Sequence, residues 1–228
     1  MLDGEPATFD GERPEKVRSL DQSDLTGFRI LQDSRIIDLR GWRLGAADDE
    51  RSFIVVHRRL KVLKEREGKG NNLFRLDLLA TSPKTAVRFP TQQLRARLRM
   101  CEVAGSDSGQ EECRWEADFD FLSVPAGDFA ELILDERSPG RYLEGGQGGA
   151  GIEFHVQAET AELATWLLMP RGREYRSFNI TRHRAGKPET SEAFRPITEY
   201  LADDYTIIAF MLVGLDPGWT YQVRWDYK

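Results

Sequence analysis

From about Gly27 onward, apolar side chains recur at every second position, the period of a strand with one face on a core. The alternating segments begin with GFRILQ (27–32), RIIDLR (35–40), SFIVVHRRLKVLK (52–64), LFRLDLLA (73–80), QLRARLRMCEV (93–103), ECRWEADFDF (112–121) and DFAELILDE (128–136). They continue with GIEFHVQA (151–158), ELATWLLM (162–169), YRSFNITR (175–182), RPITEY (195–200), YTIIAFMLVG (205–214) and WTYQVRWDY (219–227). Turn-forming clusters such as EGKGNN, GSDSG, VPAGD and LDPG separate them, and only TSEAF or TEYLADD could make a short helical turn. The pattern predicts an all-β fold, an antiparallel β-sandwich of about 12–13 strands with little helix. YTIIAFMLVG and most of LATWLLM are apolar on both faces, which predicts central strands covered on both sides.

One pairing can be written residue by residue. Leu94, Ala96, Leu98 and Met100 alternate with Arg95, Arg97 and Arg99, and Trp115, Ala117, Phe119 and Phe121 alternate with Glu116, Asp118 and Asp120. Apolar meets apolar only if opposed residue numbers sum to 215, which sets Met100 by Trp115, Leu98 by Ala117, Arg99 by Glu116 and Arg97 by Asp118. A Cys101–Cys113 bridge would need a sum of 214 and would bury charge, so two free thiols are expected, Cys113 inward and Cys101 outward.

The closing run has Trp219, Tyr221, Val223, Trp225 and Tyr227 on one face and Thr220, Gln222, Arg224 and Asp226 on the other. Its approach, Leu215-x-Pro217-Gly218-x-x-Tyr221-x-Val223, resembles the tyrosine corner of fibronectin type III and related immunoglobulin-like sandwiches. The resemblance covers about ten residues and implies a sandwich whose last corner is pinned by the Tyr221 hydroxyl.

Residues 1–24, rich in Asp, Glu, Pro and Gly without periodicity, read as a flexible acidic tail or linker ahead of a sandwich domain at 25–228. GRYLEGGQGGAG (140–151) reads as a mobile hairpin tip; the alternative is a seam near 137–151 between two packed subdomains. The N-terminus has no secretory pattern and no apolar run reaches the ~18 residues of a membrane-spanning helix, so a cytoplasmic protein is expected.

The net charge of −6 is uneven, for residues 51–100 hold 13 Lys+Arg against 3 Asp+Glu. The ladder of 95–99 against 116–120 cancels part of that excess, which predicts a solvated, charge-matched face and makes nucleic acid a poor fit as partner. Arg59, Lys61 and Arg75 on neighbouring strands are the candidates for a basic edge. Gly146-x-Gly148-x-x-Gly151 matches a dinucleotide fingerprint in letters, but it precedes a strand, where that motif has no helix N-terminus to offer. His57, His155 and His183 are scattered, and the carboxylates of Asp118 and Asp120 are expected to be salt-bridged. No catalytic set, metal site or cofactor follows from these residues.

The expected function is a non-enzymatic interaction module that presents a surface to a protein partner or to other domains of a larger assembly. The first alternative is a carbohydrate-binding sandwich with an aromatic platform, for which Trp42 in RGWRLG is the candidate; the second is a hydrolase with a dispersed site.

Overall fold

The computed structural model describes residues 15–17, 27–41, 53–66, 72–78, 84–90, 93–102, 113–139, 149–169, 175–184, 198–202 and 205–227. Every regular element among them is a strand: β1 (Glu15–Val17), β2 (Phe28–Asp38), β3 (Phe53–Lys64), β4 (Leu73–Asp77), β5 (Ala86–Arg88), β6 (Ala96–Glu102) and β7 (Cys113–Asp120) come first. They are followed by β8 (Phe129–Pro139), β9 (Gly149–His155), β10 (Thr160–Leu168), β11 (Tyr175–His183), β12 (Thr198–Ala202), β13 (Tyr205–Leu215) and β14 (Thr220–Tyr227). The all-β reading holds, and no helix of the described residues is long and apolar enough to cross a membrane.

The strands form three sheets, ordered β12-β13-β10-β2-β3-β8-β5, β1-β6-β7-β4 and β11-β14-β9. Neighbours are antiparallel except β10 with β2 and β1 with β6. The predicted register of β6 with β7 is present, with Met100 opposite Trp115, Leu98 opposite Ala117, Arg99 opposite Glu116 and Arg97 opposite Asp118. It sets Cys101 opposite Arg114 and Cys113 opposite Glu102, so the two cysteines do not face each other across the ladder.

GFRILQ and RIIDLR, expected as two strands, are one. A bulge between Ile30 and Gln32 inserts a residue into β2, and the face then changes parity: Phe28 and Ile30 are buried before it, Asp33, Arg35 and Ile37 after it. Glu15–Val17, inside the segment read as a tail, pairs with β6, and β5 adds a short edge to the large sheet. The rest of the tail and residues 140–148 of the Gly-rich run 140–151 lie outside the described residues.

Two apolar cores lie along the large sheet. The first joins Phe28 and Ile30 of β2, Leu60 and Val62 of β3 and Leu132 and Leu134 of β8 to Phe74, Leu76, Met100, Trp115 and Phe119 of the four-stranded sheet. The second joins Ile37, Val56, Leu163, Leu167, Ile208 and Phe210 to Phe154, Ile180, Tyr221, Val223 and Trp225 of the three-stranded sheet. β2 and β3 therefore run through both cores. Two glycines permit the second: Gly218, at φ 82°, makes the turn after Pro217, and at Gly151 a Cβ would stand 2.9 Å from the Val223 carbonyl.

Candidate functional site

Between the two cores the inner face of the large sheet turns polar. Arg35 and Arg58 are directly opposite in the β2–β3 ladder, an arrangement of like charges that opposes pairing unless something answers it. Asp33, one side-chain step back on the same face of β2, supplies the answer. Its carboxylate accepts from Arg35 Nη2 at 2.6 Å and from Arg58 Nε and Nη2 at 3.0 and 2.7 Å. All three are within 5% of full burial. Burial pushes the Asp33 carboxyl up, and the two guanidiniums more than reverse it, holding it well below the usual carboxylate range. Arg35 is lowered by burial and by the like charge of Arg58.

This cluster fastens the large sheet to both small ones. Arg58 Nη1 donates to the Asp77 carbonyl at the end of β4 at 3.1 Å, and the Arg35 guanidinium lies 4.7 Å from the Phe154 ring centre on β9. The Asp77 N–H donates to Gln157 Oε1 at 2.8 Å, and Arg114 Nη2 pairs with the Asp77 carboxylate. Above the cluster opens a cleft of about 290 Å³, lined by Arg35, Arg58, Asp77, Arg114, Glu153 and His155 among others. His155 Nδ1 meets Thr220 Oγ1 at 3.2 Å, and Glu153 accepts from Gln222 at 2.8 Å. The cleft thus collects acids and bases that already hold partners, an arginine for Asp77 and neutral side chains for Glu153 and His155. Among the described residues no group of three His, Cys, Asp or Glu side chains stands close enough to hold a metal ion.

The opposite, outer face of the large sheet is different in kind. Of seven large hydrophobic side chains exposed among the described residues, five stand on it: Ile36, Phe129, Trp166, Met211 and Val213. Register groups three of them, for Ala209, Trp166, Ile36 and His57 follow one another across β13, β10, β2 and β3, and Met211, Ala164, Ser34 and Arg59 make the adjoining row. β10 and β13 are interior strands of the sheet, as expected, but their outer faces are only partly buried, Ala164 at 8% standing beside exposed neighbours. Trp166 is 37% exposed, Met211 46% and Val213 66%.

The residues singled out from sequence are dispersed. Arg59 lies on the outer face in an ion pair with Glu131 at 2.8 Å, and beside it Lys61 Nζ sits 3.8 Å from the Phe129 ring centre. Arg75 is not part of a basic edge: it is 8% exposed, in the other sheet, paired with Asp118 at 2.7 Å and Glu116 at 3.3 Å. Of the ladder expected to be solvated, Arg95 and Arg97 are exposed, but its acidic side is withdrawn from water, because β4 flanks β7 and inserts Arg75 between Glu116 (3% exposed) and Asp118 (5%). Trp42 lies outside the described residues. Sequence reasoning missed Asp33, Arg35 and Arg58, whose partnership depends on the bulge, and it missed the exposure of Trp166. The apolar outer positions of β10 and β13 were the one available signal for that face.

No protein-family model matches the chain, and no curated protein matches its sequence. Solved structures do match in fold. One is a "putative protease" from Parabacteroides distasonis, at TM-score 0.50 and 8% identity; the match covers 88% of this chain and 40% of that protein. At that identity the likeness is one of fold. The matched region is a part of a longer polypeptide there.

Proposed function

We propose that this chain is a non-enzymatic interaction module, a layered β-sandwich that offers the outer face of its seven-stranded sheet to a protein partner or to other domains of a larger assembly. The observation that carries the reading is the clustering of Trp166, Ile36, Met211 and Val213 on one exposed sheet face. Isolated exposed hydrophobics are ordinary, whereas a contiguous patch rich in Trp and Met is the composition of protein contact surfaces. A fold that in another protein fills 40% of the chain suits a module serving a larger assembly. The test is affinity capture from the native source with the intact chain and with Trp166→Glu. A stoichiometric partner retained by the first and lost by the second is the expected result, and equal capture by both would refute the assignment.

A hydrolase is the second reading, favoured by the presence of His155, Asp77 and Glu153 around one cleft. Against it, the Nδ1 of His155 meets a threonine hydroxyl rather than a carboxylate, and Asp77 and Glu153 are engaged by Arg114 and Gln222. Turnover of a peptide or ester panel that disappears in His155→Ala would establish this reading. The carbohydrate reading needs an exposed aromatic platform, and its first candidate, Trp42, lies outside the described residues.

A further inference from the structure

The reading of the outer face as a docking surface leaves its occupant open, and three properties of that face narrow it. The first is composition. β10 and β13 carry apolar residues on both sides, the pattern of strands covered by a layer above and a layer below, yet within the described residues only the inner layer exists.

The second is relief. Trp166 pairs with Ala209, and Ala164 pairs with Met211. Two bulky side chains therefore stand on one diagonal and two alanines on the other. Ala164 is sunk to 8% exposure beside Met211 at 46%. Such a checkerboard contains both the projections and the hollows that it needs, so the same surface turned about a two-fold axis fits itself.

The third is charge. The chain carries −6 overall, and copies of it repel at long range. On the outer face, however, charges are matched locally: Arg59 with Glu131, Arg40 with Asp38 and Arg29 with Glu159. A neutral mosaic does not oppose its own image. Extent is adequate as well. Seven strands about 4.8 Å apart and rows of about six residues span roughly 34 by 20 Å, near the ~800 Å² that each partner buries in a specific interface.

We infer that the outer face of the seven-stranded sheet packs against the same face of a second copy, forming a symmetric dimer in which Met211 and Trp166 of one protomer fill the alanine hollows of the other. The two sheets would lie about 10 Å apart at roughly −30°, the aligned packing of sandwiches. This inference rests on the docking reading above, and the experiment separates the two.

Sedimentation velocity on the full chain between about 1 and 100 µM is expected to show a concentration-dependent dimer. Met211→Glu and Val213→Glu are each expected to weaken it about 100-fold, with the circular dichroism spectrum unchanged. Leu122→Glu, at a position 72% exposed outside this face, should leave it intact. A dimer insensitive to both outer-face variants would overturn the inference. So would a wild-type chain that is monomeric at every concentration. In that case, capture of a native partner that is abolished by Met211→Glu removes the second copy and keeps the docking face, while no Met211-sensitive partner removes both.

Discussion

The two faces of the seven-stranded sheet invert the usual division of labour. Its inner face, sealed between apolar cores, holds Asp33, Arg35, Arg58 and Lys64, each no more than 5% exposed. Its outer face leaves Trp166, Met211 and Val213 in contact with water. The buried charges are answered within the chain: two guanidiniums share one carboxylate and reach β4 and β9, so the cluster partitions the cores and fixes how the small sheets sit. The exposed apolar residues have no such internal answer among the described residues. Burial of charge here reads as architecture, and exposure of hydrophobe is what the proposed docking role rests on.

The comparison is tested most severely at Asp33. Asp33→Asn preserves shape and removes the carboxylate that both guanidiniums share, leaving Arg35 and Arg58 opposed in a dry layer with Glu136 as the remaining counter-charge of Arg35. The expected loss is about 3–5 kcal/mol, seen as a fall in Tm of roughly 10 °C. The pH dependence follows from the lowered carboxyl. The stabilisation is complete above the unfolded aspartate pKa of about 3.9 and is lost only as pH falls through the much lower folded value. Wild type and variant should therefore differ fully at pH 5 and converge in strong acid. A variant as stable as wild type at neutral pH would show that the cluster does not partition the cores.

Lys64, at the other end of the inner face, gives a smaller effect. Its Nζ donates to the Val124 carbonyl at 2.8 Å and the Phe121 carbonyl at 3.3 Å, closing the turn between β7 and β8 from beneath. Lys64→Met keeps the stem and takes the donor from the Val124 carbonyl, while the Phe121 carbonyl keeps the Val124 N–H, at an expected cost of about 1–3 kcal/mol by denaturant titration.

How much of this was legible in the chain depends on whether a feature is local. The β6–β7 register was readable because two alternating runs of opposite parity admit one apolar-to-apolar alignment, and Met100 duly faces Trp115. The split of β2 into two strands was a reading of a bulge, which breaks alternation without ending the strand. β1 and β5, three residues each, are too short to show a period. Arg75 was misplaced because the pairing of β4 with β7 joins segments about 40 residues apart and nothing in LFRLD announces its neighbour. The Arg35–Asp33–Arg58 cluster was hidden for the same reason, and Asp33 fell in the presumed break between 27–32 and 35–40. Met211 and Val213 were seen as apolar, but periodicity alone reports that a side chain prefers burial and not which body buries it.

Glu116 offers a subtler contrast, a buried charge that the fold answers incompletely. Burial raises its carboxyl above the ordinary range; Arg75 and Arg114 pull it down, while Asp77 and Asp118 push it up again. A raised folded value means that the native state binds the proton more tightly than the unfolded chain. Its contribution is thus fully present below the unfolded glutamate pKa of about 4.3 and declines as pH rises through the folded value. Glu116→Gln, which fixes the neutral form, is expected to raise Tm at pH 7 by less than Lys64→Met lowers it. The gain should vanish below about pH 4. A fall in Tm at neutral pH would mean that the ion pair with Arg75 outweighs burial.

The smallest stability effect is expected where the outer face is most apolar, and its smallness is the point. Met211 and Leu212 are chain neighbours on opposite faces of β13, 46% and 3% exposed. Leu212→Ala opens a cavity in the second core and should cost about 2–5 kcal/mol, whereas Met211→Thr and Val213→Thr place a good strand-forming residue on an open face and should change stability by no more than about 0.5 kcal/mol. The measurement belongs at concentrations low enough for the chain to be monomeric, because dimerisation adds stability in proportion to the logarithm of concentration. At higher concentration the outer-face variants should fall behind wild type while Leu212→Ala keeps a constant deficit. If Met211→Thr instead cost as much as Leu212→Ala in the monomer, that side chain would already be packed within a single chain, and the inversion between the two faces would disappear.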